Sequence, residues 1–314
     1  MERIDNQASQ KEQKMERIEV KEANEIIGKQ YKVLDHGFIA LVDYMGNDSS
    51  IVQAARVSYG AGTKSIRDDS GLIRYLMRHE HTTPFEMVEF KFLARMPIFV
   101  ARQWVRHRTA SINEYSARYS IVKDEYYVPE LAQIQAQSTT NRQGREAGKL
   151  PAETQEATAK DIKAFSDKAY ALYSDLIERG VARELARMVL PLNFYTEWYW
   201  KSNLHNTFHF LSLRLDPHAQ WEIRQYAVKM GEIVKSVVPV AYAAFEDFTL
   251  NGVRLSSKEQ AAVGMILKGS SVEEACSSAK LMLRKEDGKP VKTGEGPEFI
   301  EKLAKITEKA KSLG

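Results

Sequence analysis

Two rhythms of apolar and polar positions run through this chain. In residues 87–94, Met-Val-Glu-Phe-Lys-Phe-Leu-Ala, they alternate with the period of a half-buried strand, and Pro97 then opens an apolar helical run over 98–105. Residues 33–43 carry the mixed apolar side chains of a first strand and turn, with a helix predicted from Ser50. Further on, Ile162, Phe165, Ala169, Leu172 and Leu176 recur at helical spacing, and Gly180 stops them. A second helix is predicted from Ala182 to the residues before Pro191, because the position ahead of a proline disfavours helix. Asp216-Pro217 reads as N-cap and first helical position, ahead of one apolar stripe formed by Ile223, Ala227, Met230, Val234 and Val237.

Between these periodic stretches the composition shifts. Residues 1–30 are rich in Glu, Lys and Gln, with Met-Glu-Arg-Ile at Met1 and again at Met15; they are expected to be a mobile extension, with Met15 an alternative start and ordered structure from Tyr31. Residues 133–160 hold almost no large apolar side chains and are expected to form an exposed insertion. Beyond Asn251 the chain turns Lys- and Glu-rich, with a Gly/Pro linker over 288–297 and a charged final helix. The expected organisation is an extension over 1–30, a main domain over 31–250 and a charged appendage over 251–314.

With 314 residues, 43% of them hydrophobic, the chain can bury one large core or two small ones. Lys and Arg total 45 against 42 for Asp and Glu, so the net charge of +3 is too small for nucleic-acid binding over the whole surface, and any anion site must be local. No apolar run is long enough to span a bilayer, and the first residues lack the basic start and apolar run of a signal peptide; a cytoplasmic enzyme is expected. The lone Cys276 rules out an internal disulfide and a cysteine-based metal cluster.

The candidate chemistry concentrates in residues 106–118, Arg-His-Arg-Thr-Ala-Ser-Ile-Asn-Glu-Tyr-Ser-Ala-Arg. Arginine forks match phosphate oxygens bidentately, hydroxyls and amides fill the remaining acceptors, and the single carboxylate of Glu114 can take a sugar hydroxyl or orient an arginine. A solvated basic face or an RNA-binding strip is the alternative, yet the segment leaves a predicted strand and helix of the core, and its basic residues are arginine and histidine with no lysine.

Two histidine pairs raise the question of metal. His79 and His81 flank one residue just before Pro84, which suits an extended segment or helix end better than two ligands on one helical face. With Thr82 and Thr83 they could instead grip a planar ring or a diphosphate, or simply be surface residues at a capped helix end. His205 and His209 share a face if their segment is helical, but no carboxylate lies between Glu197 and Asp216 to complete a hydrolase site. Arg183 and Arg187 share a face before Pro191, where Arg183 could pair with Glu184 or another acid. Residues 58–65, Ser-Tyr-Gly-Ala-Gly-Thr-Lys-Ser, imitate a phosphate loop, but Thr63 separates Gly62 from Lys64 and Val57 stands where the first glycine belongs. An RNA-binding module and a metal-dependent hydrolase thus remain open as readings of these residues.

Residues 106–118 match at all eight fixed positions a signature of Arg-His-Arg, two variable positions, Ser, one variable, Asn-Glu, one variable, Ser, one variable, Arg. On this motif, with 97–105, 189–193 and 218–222, the chain resembles the flavin-dependent thymidylate synthases over residues 31–250. The resemblance implies an α+β subunit, an antiparallel sheet flanked by helices, assembled as a homotetramer with shared active sites. It implies methylation of dUMP to dTMP with 5,10-methylenetetrahydrofolate as carbon donor, FAD as redox carrier and NADPH as reductant, without a cysteine nucleophile. Carried over by position, Gln103, Arg106, Glu114, Ser116, Arg118 and Arg187 are the implied dUMP contacts, and Arg214 the catalytic guanidinium that favours the ionised pyrimidine at N3. Ser116 resembles a serine once considered a nucleophile; with no base evidently paired to it, it is read as a binding residue. The implied FAD contacts are His81, Thr83, Arg106, His107, Arg108, Glu114, Asn203, His205, His209 and His218.

Two departures stand out. The insertion is one; the other is that His205 and His209 occupy positions where many relatives carry Arg and Asn. Imidazoles keep the hydrogen bonds but make the charge depend on pH. FAD affinity is therefore expected to fall as pH rises through the histidine range, measurable by fluorescence titration; a flat affinity between about pH 5.5 and 8 would discard the idea.

Overall fold

The computed structural model describes residues 17–57, 69–139, 144–146, 148, 150–283, 289, 291 and 294–311. Met1, Met15, the phosphate-loop lookalike at 58–65 and residues 288, 290, 292 and 293 of the 288–297 linker lie outside them. Five antiparallel strands form the sheet: β1 (Tyr31–Val33), β2 (Gly37–Met45), β3 (Glu89–Pro97) and β7 (Tyr195–Asn203), with β4 (Ser111–Glu114) at the far edge in the order β1-β2-β3-β7-β4. A separate pair, β5 (Ala136–Gln137) and β6 (Arg145–Glu146), makes a small hairpin. The helices are α1 (Lys21–Asn24), α2 (Asp48–Val57), α3 (Asp69–Arg78), α4 (Thr83–Glu86), α5 (Ile98–Trp104), α6 (Ala152–Glu178), α7 (Arg183–Ala186), α8 (Leu204–Arg214), α9 (Trp221–Val237), α10 (Pro239–Phe245), α11 (Ser257–Leu267), α12 (Val272–Ser278) and α13 (Glu295–Lys311). This is the α+β architecture of an antiparallel sheet with helices that the resemblance implied.

The alternation read in residues 87–94 is the pleat of β3: Phe90, Phe92, Ala94 and Met96 point into the core, and Trp198 and Trp200 of β7 do the same beside them. Pro97 caps α5 as expected, and the first N–H groups of the helix, which have no intrahelical partner, donate to the carbonyls of Phe194 (2.9 Å) and Leu192 (3.0 Å). Residues 17–30, expected to belong to a mobile extension, instead pack on the sheet: Ala23 is buried, and the Tyr44 hydroxyl accepts from the Val20 N–H and donates to Asn24 (2.7 Å each). Polar composition misled here because one buried alanine and one tyrosine hydroxyl suffice to anchor the segment.

Three helices depart from the expected bounds or buried face. The α9 stripe is buried at all five expected positions, but the helix starts at Trp221, because Asp216 makes its own turn by accepting the His218 N–H on its side chain (2.8 Å) and the Ala219 N–H on its carbonyl (2.9 Å). In α6 the buried stripe is Ser166, Ala169 and Tyr173 while Phe165 and Leu172 face outward, fixed by the Tyr173 hydroxyl accepting the Val122 N–H (3.0 Å) and by Asn193 donating to Ser166 (3.0 Å). This helix begins at Ala152, inside the stretch read as an exposed insertion. The helix expected from Ala182 is only α7, followed by one 3-10 turn over Arg187–Val189. Beyond Asn251, α11, α12 and α13 enclose a small core of Ala262, Ala275, Cys276, Leu281 and Phe299, with capping boxes Ser256/Glu259 and Ser271/Glu274 starting two of the helices.

Gly37 marks the tightest backbone approach in the sheet. A Cβ there would lie 2.0 Å from the Tyr226 hydroxyl and 2.7 and 2.8 Å from the carbonyl oxygens of Val33 and Arg95, and that hydroxyl is itself bonded to the Arg95 carbonyl at 2.8 Å. Gly37→Ala is expected to cost about 2–4 kcal/mol in denaturant unfolding, since two of the three clashing atoms are backbone and cannot retreat.

Candidate active site

The 106–118 motif begins where α5 ends. Trp104, the last helical residue, is fully buried; it stacks on Phe210 of α8 (4.8 Å between centroids, 28°) and meets Trp198 of β7 edge-on (5.7 Å, 87°). That anchor delivers Gln103 and the turn carrying Arg106 and His107 to the end of α8. From there the chain pairs with β7 as the edge strand β4, and Thr196 of β7 donates to the Glu114 carboxylate at 2.7 Å.

At the centre lies a histidine–arginine contact. Arg214, the last residue of α8, donates its Nε–H to Nε2 of His107 at 3.0 Å and an Nη2–H to the Gln103 carbonyl at 3.5 Å. His107 is only 8% exposed and its ring is edge-on to Phe210 (4.9 Å). Burial, then the Arg214 charge, then His209, push its pKa down from the ordinary 6.5 to about 4. The imidazole is thus neutral near pH 7 and presents a lone pair to the guanidinium, the only protonation state in which this contact is attractive.

Two clefts flank this contact. The first, approximately 830 Å³, is lined by His81, His205 and His209 together with Phe85, Phe208 and Phe248. His81 follows Glu80, which takes the left-handed φ of 56°, while His205 and His209 project one helical turn apart from α8. Asn203 caps that helix by accepting the Asn206 N–H at 2.9 Å, leaving its amide protons for a ligand. Thr83 is the exposed first residue of α4. The second cleft, approximately 1010 Å³, lies between the β5–β6 hairpin, α6 and the start of α9, and holds His218, whose Nδ1 is 2.9 Å from Asp216. Of the implied flavin residues, His81, His205 and His209 thus line one cleft and His218 another within one subunit.

The implied nucleotide residues are divided too. Gln103 and Arg214 meet directly, whereas Arg118 pairs with Glu184 at 3.3 Å and Arg187 donates to the Glu184 carbonyl at 3.4 Å. Arg183 donates to the Tyr119 carbonyl at 2.7 Å rather than pairing with Glu184. Ser116 accepts the Arg118 N–H at 3.3 Å, with no histidine or acid bonded to it among the described residues. Arg106 and Arg108 are exposed, and their guanidinium groups have no hydrogen bond or ion pair among the described residues. Nor do three His, Cys, Asp or Glu side chains converge on a metal position among them.

Sequence reasoning missed a buried network beside Gln103. Glu222, 2% exposed, accepts from Arg145 (2.5 Å), Gln220 (2.9 Å) and the Tyr127 hydroxyl (3.2 Å), and Gln103 donates to Gln220. Within residues 218–222 the resemblance implies a role only for His218; for Glu222 the available signal is an acid among the core-facing positions of α9.

The family model described as thymidylate synthase complementing protein matches residues 40–240. Flavin-dependent thymidylate synthases are similar over most of the chain: that of Thermus thermophilus is 58% identical over 249 residues, covering 79% of this chain and 90% of that protein, and that of Rickettsia conorii 53% identical over 273, covering 83% and 93%. The chain belongs to the flavin-dependent thymidylate synthase family. Among solved structures, a UMP/dUMP methylase, PolB from Streptomyces cacaoi bound with 5-Br dUMP, superimposes with a TM-score of 0.63 at 35% identity, covering 70% of this chain and 99% of that one. For a flavin-dependent thymidylate synthase, the position of Cys276 is telling. It is buried in the C-terminal core, and burial pushes its thiol up, away from the thiolate form a nucleophile needs.

His107 gives the site a dependence on acid. Its folded pKa lies below its ordinary value, so the unfolded chain binds the proton more readily, and stability is complete above about pH 6.5 and drains away as pH falls toward 4. Between pH 7 and 5 the wild type is expected to lose about 1–2 kcal/mol more than His107→Gln in denaturant unfolding, allowing for solvent screening at the rim. Parallel losses in both proteins would show that another group sets the slope.

Proposed function

We propose that the chain reductively methylates dUMP to dTMP in de novo thymidylate synthesis, with 5,10-methylenetetrahydrofolate as carbon donor, FAD as redox carrier and NADPH as reductant. The observation that carries the reading is the Arg214 guanidinium held by a neutral His107 at the start of the 106–118 motif. Arginine has five N–H donors; with two directed at His107 and Gln103, the others remain to meet an anionic pyrimidine. Because the guanidinium stays charged at any working pH, it stabilises negative charge developing at N3 without itself titrating. The methylene carbon arrives at the oxidation level of formaldehyde and leaves as methyl, so two electrons are needed. When bound, FAD supplies the relay that passes them on from NADPH.

In this reading Gln103, Arg106, Glu114, Ser116, Arg118, Arg187 and Arg214 hold dUMP. Arg118 and Arg187 are exposed and share Glu184, a weak surface arrangement that a dianionic phosphate can displace. His81, Thr83, Arg106, His107, Arg108, Glu114, Asn203, His205, His209 and His218 hold FAD, with Arg106 and Glu114 serving both ligands. The first cleft fits such a group: phenylalanine rings offer flat apolar faces, and the imidazoles of His81, His205 and His209 offer polar contacts to a ring or diphosphate.

Division of both residue sets within one subunit supports a homotetramer in which neighbouring copies complete each site. Apolar side chains beside the phosphate arginines point outward in the same way: Tyr119 follows Arg118, and Met188 follows Arg187, exposed at 76% and 74%. No described helix is long and apolar enough to cross a membrane, and a cytoplasmic location goes with these soluble substrates.

The test is turnover of the purified protein. It should be yellow, release FAD on denaturation, and form dTMP only when dUMP, methylenetetrahydrofolate and NADPH are all present; a colourless protein that neither takes up FAD nor converts dUMP overturns the reading. Arg214→Ala should lower kcat by about 10²–10³ while flavin content changes less than about twofold. Equal loss of both would move Arg214 from the pyrimidine to the flavin.

A further inference from the structure

The 133–160 insertion has no role in the reading above, yet its hairpin reaches the nucleotide side of the site. Arg145 of β6 donates to Glu222 at 2.5 Å and to the Gln133 carbonyl at 2.7 Å, so the guanidinium ties the hairpin together and docks it on α9. Glu222 in turn accepts from Nε2 of Gln220 at 2.9 Å, and Oε1 of Gln220 accepts from Nε2 of Gln103. We propose that the insertion is a positioning element for nucleotide binding, with Arg145, Glu222 and Gln220 fixing the side chain of Gln103. The inference rests on the assignment of Gln103 to dUMP.

The polarity of the chain is what makes it effective. A carboxylate can only accept, so Glu222 compels Gln220 to turn its NH₂ inward and its carbonyl outward; that carbonyl compels Gln103 to give it an N–H. Gln103 is left with its oxygen and one N–H in a known orientation. Burial pushes the Glu222 carboxyl up, but the hydrogen bond and charge of Arg145, a backbone N–H and Gln220 outweigh it and hold the group below the usual range, so it is a carboxylate across neutral pH. Without Arg145 an ionised group 2% exposed would lack its counter-charge. A glutamine free to spin would lose rotamer entropy on each binding event; one already ordered does not.

The experiment is a double-mutant cycle read by dUMP affinity in the flavin-loaded enzyme. Gln220→Ala and Arg145→Ala are each expected to raise the dUMP Kd about three- to tenfold in the wild-type background, with KM following and kcat at saturation kept within about twofold. In a Gln103→Ala background the same substitutions should change Kd by less than about twofold. Equal weakening in both backgrounds overturns the proposal, because a merely structural hairpin would affect binding whatever stands at 103. Should Arg145→Ala fail to fold, Gln220→Ala at its exposed position carries the same test. A wild type that binds no dUMP would instead end the functional reading, and this inference with it.

Discussion

Packing of Trp104 is the constraint on which the site depends. Its indole lies among Trp198 and Trp200 of β7, Phe210 of α8 and Tyr226 of α9, so one side chain locks the sheet and three helices into a single relation. Buried aromatics of this size contribute several kcal/mol through area and ring geometry, and their cage admits few alternative packings. Because Gln103 precedes Trp104 and the Arg106 turn follows it, the accuracy with which that ring is held passes directly to the residues proposed to meet the ligands. Function here begins as core packing.

On that frame the polar groups grade outward. Glu222 is buried and fully engaged, and Arg214 is half-buried with part of its fork committed; Arg106 and Arg108 are exposed. Low dielectric makes the inner contacts strong and directional, and any unpaired member costly. At the rim water screens charge, so unpaired arginines cost little and remain available to an anion. His107 sits at the boundary, and its depressed pKa follows first from its burial and then from the permanent cation beside it. One neutral imidazole lets the guanidinium approach the core without a second positive charge beside it.

The sequence made some of this legible and hid the rest. β3 and α5 were readable because alternation and Pro97 are local signals whose meaning does not depend on distant residues. In α6 the period was right and the phase wrong: Phe165 and Leu172 are more apolar than Ser166, yet contacts to Val122 and Asn193 decided which face turned inward. Asp216-Pro217 offered a helix start and became a turn, since an aspartate can cap either. The signature pointed to the family because its eight positions lie within thirteen residues. Arg145 and Glu222, 77 residues apart, left no such trace, as either could equally have been a solvated charge.

The same contrast explains how an insertion of weak apolar content can matter. A segment rich in Gln, Ala, Thr and Glu, with few large apolar side chains, buries little surface of its own, and the β5–β6 pairing, two residues on each strand, is far too short to stand alone. Beside the buried Ile134 and the bond from Gln155 to its carbonyl, its hairpin is held by directional bonds from one arginine to a carboxylate already fixed in the α9 core. Such an anchor contributes modestly to overall stability, since the desolvation of Glu222 offsets much of the attraction. What it supplies is orientation, because a fork that binds one carboxylate and one carbonyl admits a single approach. Stability in this fold therefore resides in the aromatic centre, and specificity of arrangement in the few polar groups that centre holds still.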